Sequence, residues 1–238
     1  MWHTLCMPQI REGRTTKLPY DPVEAVAYLA GRDAKLARLM EKAGPFTLRL
    51  PVQQTPFEAL AQSIIYQQLH GKAAATIHRR MIESFEGLTG HPGPEHLLEC
   101  PNEQLRAAGL SHNKALALRD LAAKTIDGTV PSLAKIKKMS DAEVIETLTL
   151  VRGIGKWTVE MMLIFRLGRP NVLPVTDFGI RKGFALTYLG LKPGMKLTPD
   201  LLATAEQIEK KARKWAPFCS VASWYMWRAC DLAASKMA

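Results

Sequence analysis

The chain has 238 residues, of which 47% are hydrophobic, and 32 lysines and arginines against 22 aspartates and glutamates give it a formal net charge of +10. This length allows one large domain or two small lobes, and the apolar fraction excludes a disordered chain. The excess of positive charge favours a polyanionic partner, nucleic acid before an anionic membrane, although charge of this kind can also serve solubility alone.

The sequence also argues against membrane and metal-cluster classes of protein. Charged residues interrupt every apolar stretch before it reaches the roughly 18 residues of a membrane span. The segment MWHTLCMPQIREGR lacks the apolar centre of a signal peptide, so we expect a cytoplasmic protein, associated with the nucleoid if the source is bacterial. The cysteines form no C-x-x-C pair, which argues against a disulfide framework, a zinc site and an iron–sulfur cluster. They are Cys6, Cys100, Cys219 and Cys230.

Apolar residues at helical spacing predict an all-α protein of about ten short helices, with at most a short strand near the N-terminus. A polar arm over residues 1–19 precedes a first helix over 22–43, which is interrupted near Gly31, and the alternation in 46–50 is typical of a short strand. We therefore divide the chain into an N-terminal arm and helix, 1–45, and a domain over 46–238. Later helices are predicted from Pro56 to Gly71 and over 72–85, 101–108, 114–127, 140–148, 155–167, 178–188, 199–214 and 217–235.

A glycine-rich hairpin, LVRGIGK over residues 150–156, lies between two of these helices. Gly153 and Gly155 allow a tight reversal, and the N–H groups at the start of the following helix are suited to phosphate. Arg152 and Lys156 add positive charge. The segment predicts a sequence-independent contact with a nucleic-acid backbone, but an ordinary helix–turn–helix corner would carry the same glycines.

The wider pattern around this hairpin resembles a known family. VRGIGKWTVEM, followed after a short spacer by VLPVTDFGIRK, is similar to the helix-hairpin-helix glycosylase superfamily, in which a Gly/Pro-rich loop and an aspartate follow the hairpin. Within it the chain most resembles the AlkA and Mag type 3-methyladenine DNA glycosylases. The similarity runs from about Leu48 to Asp231, through PFEALAQSIIYQQL, GLSHNK and APFCSVASWYMW.

The resemblance implies a two-lobed, all-α glycosylase fold that binds double-stranded DNA and acts in base excision repair. The implied reaction is hydrolysis of the N-glycosidic bond of alkylated purines, first 3-methyladenine and 7-methylguanine. We expect a monomer. Fuller AlkA-type relatives have a larger N-terminal domain, so this chain is a compact version. Hypoxanthine, 1-methyladenine and ethenoadenine stay open as further substrates.

Asp177 is the candidate catalytic residue. Its place directly before the helix 178–188 is typical of an N-cap. The resemblance implies that its carboxylate faces the sugar of an extruded nucleotide, and the two roles are compatible. A fixed carboxylate stabilises the positive charge that develops on the sugar, and it can orient or deprotonate the attacking water.

Trp157 occupies the position at which bifunctional members of the superfamily carry a nucleophilic lysine. Lys156 precedes it by one residue, which places it about 100° around the helix. The pattern therefore predicts a monofunctional enzyme that uses water. An indole face also attracts a cationic alkylated purine, and with the resemblance this favours a place in the pocket for Trp157 over the alternative, that it packs the hairpin on the core. We assign the substrate pocket to Tyr66, Trp157, Phe165 and Trp227.

Other DNA contacts are implied by the family match. Gln67, Gln68 and His70 fall at the DNA and lesion site, although polar residues at a helix end are usually just solvated. Either Leu110 or His112 would be the wedge that fills the gap left by the flipped base. We assign DNA binding also to Gly153, Gly155, Lys156 and Arg181; for Arg181, and for its neighbour Lys182, a solvated basic face is equally plausible.

The resemblance further implies a monovalent cation bound by hairpin carbonyl groups, which by match are those of Thr149, Val151 and Ile154. Two rival functions remain. A binding module without chemistry would use Asp177 only as a cap, and a bifunctional glycosylase/lyase is disfavoured by Trp157. Release of bases from methylated DNA, with or without strand nicking, separates the three.

Overall fold

The computed structural model describes residues 15–51 and 54–235 and confirms the all-α architecture. The predicted arm therefore lies outside the described residues up to residue 14, as does Cys6. Across the two described ranges, no helix is long and apolar enough to cross a bilayer. In chain order the elements are β1 (Thr15–Thr16), α1 (Pro22–Arg32), α2 (Ala34–Ala43), β2 (Leu50–Pro51), α3 (Pro56–Tyr66), α4 (Gly71–Glu83), α5 (Pro94–Glu99), α6 (Asn102–Ala107), α7 (His112–Ile126), α8 (Leu133–Ile136), α9 (Asp141–Leu148), α10 (Lys156–Phe165), α11 (Phe178–Phe184), α12 (Ala205–Ala212) and α13 (Cys219–Ser235).

Several boundaries differ from the predicted ones for local reasons. The interruption in 22–43 is confirmed, since Asp33 ends α1 and its side chain accepts the first N–H groups of α2. The predicted helix 199–214 is a short 3-10 turn, Pro199–Leu201, followed by α12, because Thr204 and Gln207 form a capping box that starts a new helix. α11 continues into a single π-helical turn, Ala185–Leu189. The short helices α5 and α8 were not predicted.

The chain folds as two compact units, one formed by residues 15–51 and 163–235 and the other by 54–162. The predicted boundary between residues 45 and 46 falls within the first unit. Along the chain, α10 passes from one unit to the other at residue 163.

In the first unit, the long buried helix α13 packs against α11, α2 and α1. Gly183 makes the contact with α11 possible, because a Cβ there would lie 2.0 Å from the carbonyl oxygen of Met226. β1 and β2 pair antiparallel, with Thr16 opposite Leu50. The close approach of α11 to α13 fixes the start of α11, where Asp177 lies, relative to the side chains of α13.

A buried carboxylate, Asp33, joins the remaining helices of this unit. Its Oδ2 accepts hydrogen bonds from Tyr188 Oη at 2.9 Å and Trp215 Nε1 at 3.1 Å, and Lys211 Nζ lies 3.2 Å away. Burial alone would raise the pKa of Asp33, but these donors and the N–H at the start of α2 outweigh it and hold the pKa below its ordinary value. Asp33 is therefore a charged structural centre.

In the second unit, α7 is the central helix, and α3, α5 and α6 pack against it. α3 begins at Pro56 after a capping box formed by Thr55 and Glu58. One side of α7 is buried, through Ala115, Leu118, Leu121 and Ala122 among others. α7 is thus the common support of α3, α5 and α6 in this unit.

Candidate functional site

Asp177 lies at the N-terminus of α11 and is 4% exposed. Its Oδ1 accepts two hydrogen bonds, from the Ile180 N–H at 2.8 Å and from Trp227 Nε1 at 2.9 Å. The interpretation of Asp177 as an N-cap is therefore confirmed. Because both donors bind the same oxygen, the carboxylate is held in one orientation in surroundings of low polarity, where a fixed charge acts strongly.

Trp227 and Phe165, two residues assigned to the pocket, are both buried, and Trp227 lies beside this carboxylate. Their rings are 5.4 Å apart and tilted by 38°. The indole N–H of Trp227 points to Asp177, so Trp227 also orients the carboxylate. Sequence reasoning assigned Trp227 a place in the pocket but did not predict this bond.

Gly179 is a functional residue that the sequence analysis missed. A Cβ on it would lie 2.6 Å from Cδ1 of Trp227 and 3.1 Å from Oδ1 of Asp177. Glycine is therefore required where the indole reaches the carboxylate. The signal was present, because glycine in the first turn of a helix is unfavourable unless another group needs the space.

Cys230 lies next to the same turn, with its Sγ 3.4 Å from the carbonyl oxygen of Gly179. Burial is the main cause that raises the pKa of this thiol to about 12. It is therefore protonated at neutral pH and is not a nucleophile for this site.

The hairpin, in the second unit, has the predicted tight geometry. Leu150, Arg152, Gly153 and Gly155 are exposed, whereas Val151 and Ile154 are buried. Gly153 has φ +78°, in the left-handed region, and the Ile154 N–H donates to the Val151 carbonyl at 3.0 Å. α10 begins at Lys156, one residue later than predicted, after Gly155, whose carbonyl accepts the Val159 N–H. The hairpin thus presents its main chain and the start of a helix to solvent.

Lys156 and Trp157 open α10. The Lys156 side chain is 63% exposed, and its Nζ lies 3.8 Å from Oε1 of Glu160, which is buried. Trp157 is half-buried. The lysine thus extends along the surface of its own helix.

The turn after α3 corrects one prediction. The helix ends at Tyr66 rather than continuing to His70, and Gly71 begins α4 instead of ending a helix. The physical reason is the backbone, because Gln67 leaves the helical region with ψ +133° and Gln68 then adopts φ +57°, so the helix cannot continue. Gln68 and His70 are exposed, whereas Tyr66 is half-buried and meets His78 edge to face.

Two side chains hold this turn. Lys114, from α7, donates to the carbonyl oxygens of Ile65 at 2.6 Å and Gln67 at 2.8 Å. The Gln67 side chain donates in turn to the Gly153 carbonyl at 2.8 Å. The turn over residues 67–70, called the Gln67 turn below, is therefore bonded to the hairpin, which no local pattern in the sequence indicated.

The two wedge candidates differ in exposure. Leu110 is buried within its own unit, whereas His112, the first residue of α7, is exposed after Ser111 as N-cap. Exposure therefore favours His112. Arg181, half-buried in the first unit, donates from Nε to the Ala203 carbonyl at 2.8 Å and so has a structural role as well.

The proposed cation ligands at Thr149, Val151 and Ile154 would act only through main-chain carbonyls. Among the described residues there is no group of three or more His, Cys, Asp or Glu side chains that could hold a metal ion. Neutral carbonyl oxygens of this kind suit a hard monovalent ion and not zinc or iron.

The chain matches known proteins both in sequence and in structure. The HhH-GPD superfamily of base excision DNA repair proteins matches residues 61–217, which is more than half of the chain. The chain belongs to this superfamily. The HhH-GPD match includes the Gln67 turn, the hairpin and Asp177, whereas Trp227, which bonds to Asp177, lies beyond it.

Individual HhH-GPD relatives match over most of their length. DNA-3-methyladenine glycosylase 1 of Schizosaccharomyces pombe is 35% identical over 211 residues, 88% of this chain and 88% of that protein. A structure of the S. pombe 3-methyladenine DNA glycosylase Mag1 with abasic DNA is 34% identical, with a TM-score of 0.73 over 86% of this chain and 95% of that chain. A DNA-3-methyladenine glycosidase from Bacillus halodurans is 31% identical, with a TM-score of 0.77 over 94% and 95%.

Proposed function

We propose that this protein is a monofunctional DNA glycosylase that hydrolyses the N-glycosidic bond of alkylated purines, chiefly 3-methyladenine and 7-methylguanine, and leaves an abasic site. The observation that carries the proposal is the buried Asp177 carboxylate, oriented by Trp227 and by the start of α11. The names of its relatives, which are DNA-3-methyladenine glycosylases, support the substrate class.

The chemistry of the substrate fits a site with one carboxylate. Alkylation at N3 or N7 makes the purine cationic, so the base departs as a neutral molecule and needs little help from a general acid. What remains is the positive charge on the sugar, which Asp177 stabilises in the transition state. The same carboxylate orients or deprotonates the water that attacks the sugar.

Recognition of a cationic base falls to Trp157. Its indole face attracts positive charge, and its position replaces the lysine of the bifunctional members. Lys156, which lies near Glu160 and is largely exposed, serves DNA binding instead of amine attack. The enzyme therefore releases the base by hydrolysis without cutting the strand. The resemblance to the family also assigns Tyr66, Phe165 and Trp227 to substrate binding.

The DNA partner is double-stranded, and the protein binds it as a monomer. The hairpin residues Gly153, Gly155 and Lys156 contact the backbone, together with Arg181 in the first unit. Gln67, Gln68 and His70 contact the duplex near the lesion, and His112 fills the gap left by the flipped base, which offsets part of an unstacking cost of about a few kcal/mol. A monovalent ion at the Thr149, Val151 and Ile154 carbonyls would add positive charge beside the hairpin.

The experiment is to incubate the protein with a methylated duplex, identify the released bases by chromatography, and assay the DNA for nicks before and after alkaline cleavage of abasic sites. We expect 3-methyladenine and 7-methylguanine, with nicks only after alkali. DNA binding without any released base would leave only a binding module. Nicks before alkali, or an adduct trapped by borohydride, would instead identify a lyase.

A further inference from the structure

Helix α7 carries an acid and a base one turn apart, Asp120 and Lys124, that face the hairpin. Lys124 Nζ lies 2.9 Å and 2.7 Å from the two carboxylate oxygens of Asp120. Both side chains are half-buried, with exposed fractions of 26% for Lys124 and 30% for Asp120. An ion pair of this spacing by itself contributes little to the stability of a helix. Helix stability therefore does not account for the pair, and its other contacts matter more.

Each member of the pair also binds the main chain of the hairpin. Lys124 Nζ donates to the Leu150 carbonyl at 2.7 Å, and Asp120 Oδ2 accepts the Arg152 N–H at 2.7 Å. These are the C=O and N–H of residues two apart, the same two groups that one residue of a neighbouring parallel strand would bind. The ion pair thus binds the main chain of the first arm of the hairpin, residues 150–152, through the two groups that a neighbouring strand would bind.

The charge of Asp120 is otherwise unfavourable at this position. A carboxylate bonded to the main chain of a phosphate-binding hairpin opposes DNA by simple electrostatics. Burial alone would raise its pKa, but the Arg152 N–H and the Lys124 ammonium outweigh burial and hold the pKa below its ordinary value. Asp120 is thus ionised at neutral pH and bonded to the hairpin at the same time.

We infer that Asp120 and Lys124 are positioning residues, which hold residues 150–152 of the hairpin in the geometry that binds the DNA backbone. The inference rests on the proposed function of the hairpin as a DNA contact. It assigns to Lys124 a structural role in a protein whose excess of lysine and arginine would otherwise suggest a phosphate contact.

The substitution Asp120→Asn separates positioning from electrostatics, because the two predict opposite signs. Loss of a negative charge beside the hairpin should tighten DNA binding if charge alone matters. If Asp120 positions the hairpin, we expect binding to weaken by about tenfold. Asparagine can still accept the Arg152 N–H, but it replaces one acceptor of the Lys124 ammonium by an amide NH2 group and so breaks the pair that holds residues 150–152. Affinity is measured by fluorescence anisotropy with a duplex that carries an abasic-site analogue.

Glu146→Gln is the matched control. It removes the same charge from the exposed face of α9, the helix that leads into the hairpin, and should leave binding unchanged or slightly tighter. Unchanged or tighter binding by Asp120→Asn would overturn the inference.

Lys124→Met supplies a second, independent measurement. We expect weaker binding with an unchanged slope of log affinity against log salt, because no phosphate contact is removed. A slope smaller by about one would identify Lys124 as a phosphate contact and overturn the inference. The affinity of the double variant Asp120→Asn/Lys124→Met for DNA should be no lower than that of the single variant with the lower affinity, since the pair acts as one unit.

Base release at saturating enzyme completes the test. Asp120→Asn, Lys124→Met and the double variant should release the base at the wild-type rate when the enzyme is saturating, because Asp177 is untouched. They should lose activity only at subsaturating enzyme. Lys124→Arg, which keeps the charge and the donors, should restore most of the affinity. A wild-type protein that releases no base contradicts the proposed function, whereas an active wild type with full affinity in Asp120→Asn contradicts only this inference.

Discussion

The candidate functional groups of the two units, a carboxylate in one and exposed turns in the other, are held by different kinds of contact. In the unit formed by residues 15–51 and 163–235, the group is the buried carboxylate of Asp177, bonded to an indole and to a helix N–H. In the unit formed by 54–162, the groups are exposed turns, bonded at their main-chain atoms by side chains such as Lys114 and Lys124. The Asp177 carboxylate is thus fixed by buried groups of its own unit, whereas the exposed turns are fixed by lysine side chains that bind their carbonyl oxygens.

The first unit also contains an internal comparison. Asp33 and Asp177 are both buried carboxylates, and both act as helix N-caps. Asp33 is surrounded by donors from several helices and has no assigned role with substrate. The two residues should therefore respond to the same substitution in opposite ways.

The largest effect is expected for Asp177→Asn. Asparagine keeps the N-cap but removes the charge that stabilises the sugar, so base release should fall by about 10³-fold, the upper range for loss of one preorganised electrostatic contact. Affinity for an abasic-site duplex and the melting temperature should stay close to wild type. Base release near the wild-type rate would show that Asp177 is only a cap.

Asp33→Asn should show the reverse pattern. It keeps the cap but turns the acceptor of Tyr188 and Trp215 into a donor, so unfolding in urea should be easier by about 3 kcal/mol, with base release per folded molecule unchanged. The pKa of Asp33 is lowered in the folded state. Its ionised form therefore contributes to stability at pH values above 3.8, the ordinary pKa of aspartate, and this contribution is lost as the pH falls through the folded pKa. The difference between wild type and variant should therefore shrink in acid. A constant difference across that range would contradict this role.

Trp227→Phe tests how the Asp177 carboxylate is oriented. Phenylalanine keeps a ring against Phe165 but removes the indole N–H, so single-turnover base release should fall by about tenfold, as expected for one hydrogen bond to a charged group. Trp224→Phe, a buried tryptophan on the same helix without that bond, is the matched control. Equal losses in both variants would indicate a packing effect and not orientation.

The smallest effect is expected for Lys114→Met in the second unit. Without the ammonium, the carbonyls of Ile65 and Gln67 lose their donor, and the Gln67 turn should loosen. We expect DNA affinity to fall by about threefold to fivefold, with an unchanged salt slope. Lys72→Met, at an exposed lysine in the first turn of α4, is the comparison for general loss of charge. A smaller salt slope for Lys114→Met would make Lys114 a phosphate contact.

Much of the fold was predictable because its signals are local. Helical periodicity, the capping box at Thr55 and the glycines of the hairpin act within a few residues, and the structure follows them. The errors are local as well. Gln68 adopts a left-handed backbone that glycine or asparagine would have signalled, and the helix that was expected to continue ends at Tyr66.

The sequence by itself determined the all-α architecture, the hairpin, the place of Asp177 before α11 and the place of Trp157 in the first turn of α10. Only the tertiary structure decided which groups meet. Trp227 reaches Asp177 across 50 residues, Lys114 reaches Ile65 across 49, and Asp120 reaches Arg152 across 32. Such contacts depend on how helices pack and on where glycine leaves room, as at Gly179 and Gly183. Local spacing does not encode those distances, so which charged groups meet which backbone atoms is decided only when the helices pack.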